Sequence, residues 1–299
     1  MKTAFLRQAL DLHVHTAPDG APRILTDLEL AREAMEAGMA GFVSKCHQGD
    51  TSARAAVATE ALQLLYPGTG FQVLGGVVLN HGAGGLNPSA VYASGKMGGR
   101  LVWFPTVDAE NDALYKKAHA GEKGLGGSNE QPLRKPKIRI LDDQGNLVPE
   151  VKEVLAQIRD FDMVLATGHI SPRESLALVR EAAEQGIRKI LVNHVSLPIT
   201  RADLDLQKAY AACGAMVEHC YYTPMAGLCP WEEIVRSIQC LGADHVILST
   251  DLGQPGKASP VKGLAAFAER LFSLGVGKKD LHQMMVENPR RMMEMQSLR

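Results

Sequence analysis

The feature that most constrains the fold of this chain is a regular alternation of short apolar segments with amphipathic helical ones. Near-continuous apolar strands joined by helices are typical of a parallel sheet with both faces covered. Eight such units over about 250 residues predict a closed (β/α)8 barrel, a TIM barrel of class α/β, with an open doubly wound sheet as the alternative. The predicted strands are Asp11–His15, Gly41–His47, Phe71–Leu79, Arg100–Thr106, Asp162–His169, Lys189–His194, Ala215–Tyr221 and His245–Asp251.

The alternation stops once, between Val107 and Val148, and this interruption decides the predicted domain organisation. The stretch is rich in glycine and contains the turn-forming segment Asp142–Asn146. Connections of this length are uncommon in a compact domain unless they form a lid or a binding loop. We therefore predict one domain over residues 1–299, with a lid-like insertion at 107–148 after the fourth strand and a helical tail at 280–299.

Composition and charge limit the partners of the chain. Hydrophobic residues make up 45% and charged residues 22% of the sequence, as in a folded globular protein. A net charge of -1 provides no field that attracts nucleic acid or an anionic membrane, so we expect a small-molecule substrate. The five cysteines lack metal-binding spacing, and we find neither an apolar run of membrane-spanning length nor an export signal. These features predict a cytoplasmic protein, which could form a homo-oligomer.

The first strand ends in two histidines that are one residue apart. Residues i and i+2 of a strand point to one face, so His13 and His15 can bind the same metal ion. The turn-forming segment Thr16–Gly20 follows them and places them at the carboxyl end of the strand, where barrels of this type carry their chemistry. The alternative is that both histidines are incidental residues of a half-buried strand.

Three later strands also end on residues that can bind a metal. The fifth predicted strand ends on His169, the sixth on His194 and the eighth on Asp251. Random placement would rarely bring ligand-type residues to the same end of four strands, so we predict a metal site there. For Asp251 the alternative is an N-cap of the following helix.

Several motifs resemble the amidohydrolase superfamily of metal-dependent hydrolases. The strand-end residues described above match its pattern of His-x-His on strand one, histidines on strands five and six, and aspartate on strand eight. Glu287–Arg291 resembles its C-terminal Asn-Pro-x-Arg element. Four further segments resemble an uncharacterised bacterial family within the superfamily: Asp11–Pro18, Gly84–Pro88, Val102–Thr106 and Ala166–His169.

The resemblance implies that His13, His15, His169 and Asp251 hold one metal, and that His194 binds a second metal or contacts the substrate. Imidazole and carboxylate ligands suit zinc first, with manganese, iron or cobalt as alternatives, so we expect one or two divalent ions. A bound water whose pKa falls toward about 7 would act as the nucleophile. Asp251 could accept its proton and transfer it to the leaving group.

The second strand ends on Lys45 and His47, which repeat the i, i+2 spacing. This departs from binuclear members of the superfamily, where a carbamylated lysine usually comes from strand four; here strand four offers Trp103–Pro105. Three roles for Lys45 remain open: a carbamylated metal ligand, a charged group that binds a substrate carboxylate or phosphate, and a structural ion pair. His47 is predicted to be a metal ligand or a substrate contact.

The remaining candidates carry less information. His81 could line the pocket, and of the neighbours Glu218 and His219 only one should face the barrel centre, since successive strand residues point to opposite faces. The basic run Arg134–Arg139 is expected to be solvated, with an anionic substrate as the weaker interpretation. We expect the three histidines and four methionines that follow to be structural or surface residues: His119, His245, His282, Met284, Met285, Met292 and Met293.

The leading functional hypothesis is a metal-dependent hydrolase that uses a metal-activated water on a small amide, lactone or ester, with Asp251, His194 and Lys45 as catalytic residues. A metal-dependent decarboxylase is the first alternative, because decarboxylases share this barrel and the His-x-His motif. A phosphoesterase of the polymerase-and-histidinol-phosphatase type is the second, although its Asp-x-His signature is replaced here by Asp251–Gly253. A non-catalytic small-molecule binder is the third.

Overall fold

The computed structural model describes residues 5–120 and 135–295. All strand pairs within its two sheets are parallel, and the strand orders are β1-β2-β3 and β4-β5-β6-β7-β8-β9. The strands are β1 (Leu10–Val14), β2 (Gly41–Ser44), β3 (Gln72–Leu74), β4 (Gly76–Val78), β5 (Leu101–Trp103), β6 (Val164–Ala166), β7 (Ile190–Val192), β8 (Met216–Cys220) and β9 (Val246–Ser249).

Strands β3 and β4 are two halves of one predicted strand that are separated only by Gly75. The first half pairs with β2 and the second with β5, so this segment joins the two sheets. The backbone is crowded at the junction, because a Cβ at Gly75 would lie 2.5 Å from the Thr51 carbonyl oxygen and one at Gly76 would lie 2.0 Å from that of Leu101. Only glycine permits this approach.

The barrel is closed by contacts between the first strand, β1, and the last strand, β9. The amide of His15 donates to the Leu252 carbonyl at 2.8 Å, and the amide of Asp251 donates to the His13 carbonyl at 2.8 Å. The buried Asp11 carboxylate accepts hydrogen bonds from the backbone and the hydroxyl of Thr250 at 3.1 and 2.6 Å. Within the described residues the strands thus form a closed parallel barrel of eight strands, with β3 and β4 counted as one. The predicted fold is confirmed.

Helices cover the outside of the barrel, and several begin at capping motifs that can be recognised in the sequence. Thr26 and Ser171 each form a capping box with a glutamate three residues later, which satisfies backbone groups at the first turn. The helices are α1 (Asp27–Glu36), α2 (Ser52–Leu65), α3 (Pro88–Lys96), α4 (Glu110–Ala118), α5 (Pro149–Asp160), α6 (Pro172–Glu184), α7 (Leu204–Ala212), α8 (Tyr222–Met225), α9 (Trp231–Leu241), α10 (Pro260–Ser273), α11 (Lys278–His282) and α12 (Asn288–Met293), with a π-helical turn at Gln283–Glu287 and 3-10 turns at His81–Ala83, Pro198–Thr200 and Ala243–His245.

The C-terminal helix α12 covers the amino-terminal end of the strands. Met292 and Met293 are buried in one apolar cluster with strand residues such as Leu10 and Trp103. Asn288 donates to the carbonyl of Val246, at the start of β9, at 2.7 Å. The two methionines therefore serve packing, as expected, and the opposite end of the barrel is left for the site.

The interruption predicted at 107–148 is partly described. Helix α4 lies within it, and Leu141 and Leu147 form an antiparallel bridge around the predicted turn. Ile140 is fully buried, so this part packs onto the barrel. Residues 121–134, including Arg134 of the basic run, lie outside the described residues, as do 296–299 of the predicted tail. The role of the insertion as a lid stays a prediction.

Among the described residues, no helix combines the length and the apolar character that crossing a membrane requires.

Candidate metal centre

Five imidazoles form a closed ring at the carboxyl ends of the strands. All five were candidates from the sequence, and the structure brings them together although they lie in or after four different strands, β1, β2, β6 and β7. Each ring lies close to its two neighbours in the ring of five. The distances between neighbouring ring centroids are 5.7 Å for His13–His15, 5.0 Å for His15–His47, 6.0 Å for His47–His169, 5.4 Å for His169–His194 and 4.8 Å for His194–His13.

Four of these rings are oriented by a contact at Nδ1. Orientation of this kind is typical of metal-binding histidines, whose second nitrogen then faces the ion. For three of them the partner oxygen can only accept, which assigns the proton to Nδ1 and leaves the Nε2 lone pair available. The contacts are His13 to Glu218 Oε2 (3.1 Å), His15 to the Lys45 carbonyl (3.0 Å), His169 to Asp112 Oδ1 (2.9 Å) and His47 to Thr106 Oγ1 (2.8 Å).

The carboxylate of Asp251 lies beside the first two imidazoles. Its Oδ1 is 3.1 Å from Nε2 of His15 and 3.4 Å from Nε2 of His13. Asp251 has φ +54° and His194 has φ +55°, a left-handed conformation that is uncommon outside glycine and recurs at functional sites. Helix α10 is capped by Ser259 instead, so the alternative of Asp251 as a helix N-cap is wrong.

Lys45 is fully buried within the same centre. Its Nζ lies 2.9 Å from Nε2 of His13 and 5.7 Å from the centroid of the Trp103 ring. Burial lowers the pKa of its ammonium group, although the charges of Asp251 and Glu218 oppose this shift. Lys45 forms no ion pair with a carboxylate in the described parts of the chain, so the structure gives no support to the third role considered for it, a structural ion pair.

Three of the histidines and Asp251 have, at neutral pH, the protonation states in which these side chains bind a metal. Burial lowers the pKa of His15 to about 4 and holds those of His47 and His194 well below their usual range. Burial alone would raise the pKa of Asp251, but the adjacent His13 and His15 outweigh it and hold the pKa well below its usual range. Neutral imidazoles beside an ionised carboxylate are the metal-binding forms of these side chains.

Two observations show that the donor set fits a divalent metal. The Nδ1 of His15 contacts a carbonyl, so its Nε2 and Oδ1 of Asp251 face each other at 3.1 Å, where a single cation could be bound by both. The buried Nδ1 of His194 has no hydrogen-bond partner among residues 5–120 and 135–295. Donor atoms within 4.8 Å of one another form two groups, which are His13, His15 and Asp251, and His13, His194, Glu218 and Cys220. Nitrogen, oxygen and sulfur donors of this kind suit transition metals.

Glu218 and His219 point to opposite sides of β8, as their alternation predicted. Glu218 faces the centre, where its carboxylate receives hydrogen bonds from His13 and, at 2.8 Å, from the Asn193 amide. His219 contacts Ser196 and Ser237 at 2.9 and 2.8 Å in the outer layer. Glu218 is therefore the residue of the pair that belongs to the site.

Asp112 is a site residue that the sequence analysis missed. It lies on α4, within the interruption of the strand-helix alternation, and its buried carboxylate contacts both His169 and Lys116. An acidic residue four positions before a lysine on a helix is typical of an exposed ion pair. Only the tertiary structure shows that this carboxylate orients His169.

Replacing Asp112 by asparagine is expected to weaken metal binding about 10-fold to 100-fold, because the carboxylate that orients His169 is lost. Metal titration of the purified variant measures this effect. The same replacement at Asp205, whose side chain is 93% exposed, serves as the control. Unchanged metal affinity for Asp112→Asn would remove His169 from the proposed ligand set.

The remaining histidines lie outside the ring. His81 donates from Nε2 to the Pro136 carbonyl at 2.8 Å, His119 stacks on Tyr115, and His245 and His282 are exposed. In the basic run, Lys137 pairs with Asp108 and Arg139 with Glu110 and Asp143. Lys137 and Arg139 are therefore matched by local carboxylates and give no support to an anionic substrate.

The chain matches the family model described as "Family of unknown function (DUF6282)" over residues 8–218. This range begins before β1 and ends at Glu218 in β8. A search of curated proteins finds no match.

Solved structures of similar fold include three bacterial proteins. An amidohydrolase from Pseudomonas aeruginosa is 13% identical, with a TM-score of 0.64 over 98% of both chains. The probable dipeptidase PvdM from Pseudomonas aeruginosa is 12% identical, with a TM-score of 0.62 over 97% of this chain and 96% of that one. A dihydroorotase from Campylobacter jejuni is 12% identical, with a TM-score of 0.56 over 98% and 85%. At these identities the likeness establishes a shared fold.

Proposed function

The chain belongs to the family of unknown function DUF6282, and we propose that it is a metal-dependent hydrolase of the amidohydrolase superfamily that acts on a small amide, lactone or ester. The observation that carries the proposal is the ring of five imidazoles closed beside Asp251. Chemistry at the carboxyl ends of the strands is the rule for this barrel. The similarity of the fold to an amidohydrolase, a probable dipeptidase and a dihydroorotase supports the same class.

His13, His15 and Asp251 would hold the ion, with zinc as the first choice and manganese, iron or cobalt as alternatives. When bound, a divalent metal polarises the substrate carbonyl and acidifies a water molecule toward a pKa of about 7. Asp251 accepts the proton of the attacking water and transfers it to the leaving group. Glu218 keeps the proton of His13 on Nδ1, so that Nε2 stays available as a ligand.

His194 and His169 complete the proposed centre. The buried and unpartnered Nδ1 of His194 supports a role in binding a second ion or the substrate. His169 and His47 lie beside it in the ring, where they would extend the ligand set from one ion to two. Metal analysis of protein purified without chelator gives the number of ions per chain.

We propose that the side chain of Lys45 is a neutral amine. Burial favours this form, and it is the form that adds to carbon dioxide, making a bond from Nζ to carbon and releasing a proton to solvent. The resulting carbamate would be a further oxygen ligand next to His13.

For the metal-loaded protein in 13C-bicarbonate we therefore expect a carbamate carbon signal in the 13C NMR spectrum that is missing in Lys45→Gln. The variant Lys208→Gln, at an exposed position, should keep the signal. A wild-type spectrum without a carbamate signal would leave the charged, anion-binding role for Lys45.

One structural observation weighs against a phosphoesterase of the polymerase-and-histidinol-phosphatase type. Its Asp-x-His signature would need a histidine at position 253. A Cβ at Gly253 would lie 1.9 Å from the His15 carbonyl oxygen, and φ there is +136°, so no side chain can be placed at this position without moving β1.

The proposal is tested by reconstituting the protein with zinc, manganese, iron or cobalt and assaying a panel of small amides, lactones and esters. The expected result is metal-dependent turnover in which one oxygen atom from 18O-water enters the product. Release of carbon dioxide without 18O incorporation would replace the hydrolase by a decarboxylase. Absence of turnover with every metal and substrate class, phosphate esters included, would favour a non-catalytic binder.

A further inference from the structure

Arg23 lies in the loop after β1 that leads from the His-x-His motif to α1. The loop is fastened to two neighbouring strand ends that carry site residues. The amide of Ile24 donates to the carbonyl of Gly253, two residues after Asp251, at 3.0 Å. Cys46, between Lys45 and His47, donates from Sγ to Asp19 Oδ1 at 3.4 Å. Arg23 is thus held close to the rim of the metal centre.

The guanidinium of Arg23 is buried but only partly used. Its side chain is 5% exposed, and its Nε donates to Asp19 Oδ2 at 2.7 Å. Across the described parts of the chain, no residue accepts a hydrogen bond from Nη1 or Nη2. An arginine that served only to fasten the loop would be expected to engage a carboxylate through two parallel hydrogen bonds. In Arg23 the edge formed by the two Nη groups has no hydrogen-bond acceptor among the described residues.

The hydrogen bonds of Arg23 place its charge on the side of the ring formed by β1 and β2. Asp19, which accepts the hydrogen bond from Nε of Arg23, also accepts one from Cys46, and Cys46 lies between Lys45 and His47 in the chain. An anion bound to the free guanidinium edge would lie next to the reacting groups.

We propose that Arg23 determines the substrate class by binding a carboxylate or phosphate group that the substrate carries beside the bond to be cleaved. This inference rests on the proposed hydrolase function and narrows it to anionic substrates. Guanidinium binds planar oxyanions through paired N–H groups, and desolvation of the site strengthens such contacts. Arg23 is therefore a specificity residue that touches the substrate.

The test measures anion binding directly, with succinate and inorganic phosphate as probes, by calorimetry on metal-free and on zinc-loaded protein. We expect at least one probe to bind the wild type and Arg23→Gln to weaken its affinity about 10-fold to 100-fold in both forms. Arg159→Gln, at a half-exposed arginine on α5, should stay within about 2-fold of the wild type. Binding of succinate alone indicates a carboxylate substrate, and binding of phosphate alone indicates a phosphate group.

Two results would overturn the inference: equal affinities of Arg23→Gln and the wild type, or no binding of either probe to the wild type. If Arg23→Gln does not fold, Arg23→Lys replaces it, since it keeps the charge beside Asp19 but loses the paired N–H groups, and unchanged affinity would then contradict the inference. Metal content separates this outcome from failure of the hydrolase proposal. Lost anion binding in a variant with full metal content concerns Arg23 alone, whereas a wild type that binds no metal refutes the hydrolase.

Discussion

Replacing His13 by alanine is expected to abolish stoichiometric metal binding and to reduce hydrolysis to background. His13 is the shared member of both donor groups, and its Nε2 lies near Asp251 and Lys45 at once. The change also removes the partner of the buried Glu218 carboxylate, which should cost about 1–3 kcal/mol of stability but leave the barrel folded. Metal content by mass spectrometry, circular dichroism and the initial hydrolysis rate measure these three effects.

The matched control for this experiment is His282→Ala, which removes an exposed imidazole that pairs with Glu287 on the C-terminal helices. This variant should keep its metal and its activity. If His13→Ala retained the wild-type metal content, the ligand assignment for both donor groups would be wrong.

Replacing Asp251 by asparagine is expected to lower kcat about 10²-fold to 10⁴-fold, the usual contribution of a positioned general base. The amide keeps the size of the side chain but has neither the negative charge nor the capacity to accept a proton at neutral pH. It also removes the anionic neighbour of His13 and His15, so metal affinity should fall as well. Activity assayed at saturating metal separates the loss of the base from the loss of the ligand.

Asp244→Asn is the control for this change, since Asp244 is an exposed aspartate in the 3-10 turn before β9. It should leave kcat within about 2-fold of the wild type. A saturating-metal kcat of Asp251→Asn equal to that of the wild type would exclude Asp251 as the catalytic base.

The barrel and the imidazole ring were predictable because both follow from local rules that the chain obeys outside the interruption at 107–148. Alternation of apolar strands with capped helices, such as those that begin after Thr26 and Ser171, fixes the order of the elements. Parallel strands in a closed barrel bring their carboxyl ends together, so ligand-type residues there had to converge. His13, His169 and His194 meet for this reason although they are far apart in the sequence.

The groups that orient the ring were not predictable in the same way. Period-two alternation shows that Glu218 and His219 face opposite sides, but not which one faces inward, because that depends on strand register. Asp112 comes from a helix inside an irregular connection, where no periodic rule places a side chain. Arg23 is positioned by contacts between two loops, which sequence spacing does not encode.

The most direct test of the central claim is the location of the bound ion, measured by anomalous diffraction from crystals of the metal-loaded protein. The account predicts an ion with ligand atoms of His13, His15 and Asp251 at about 2.0–2.2 Å, in the mouth of the barrel. An ion held by residues elsewhere on the molecule, with this ring unligated at full metal occupancy, would contradict it.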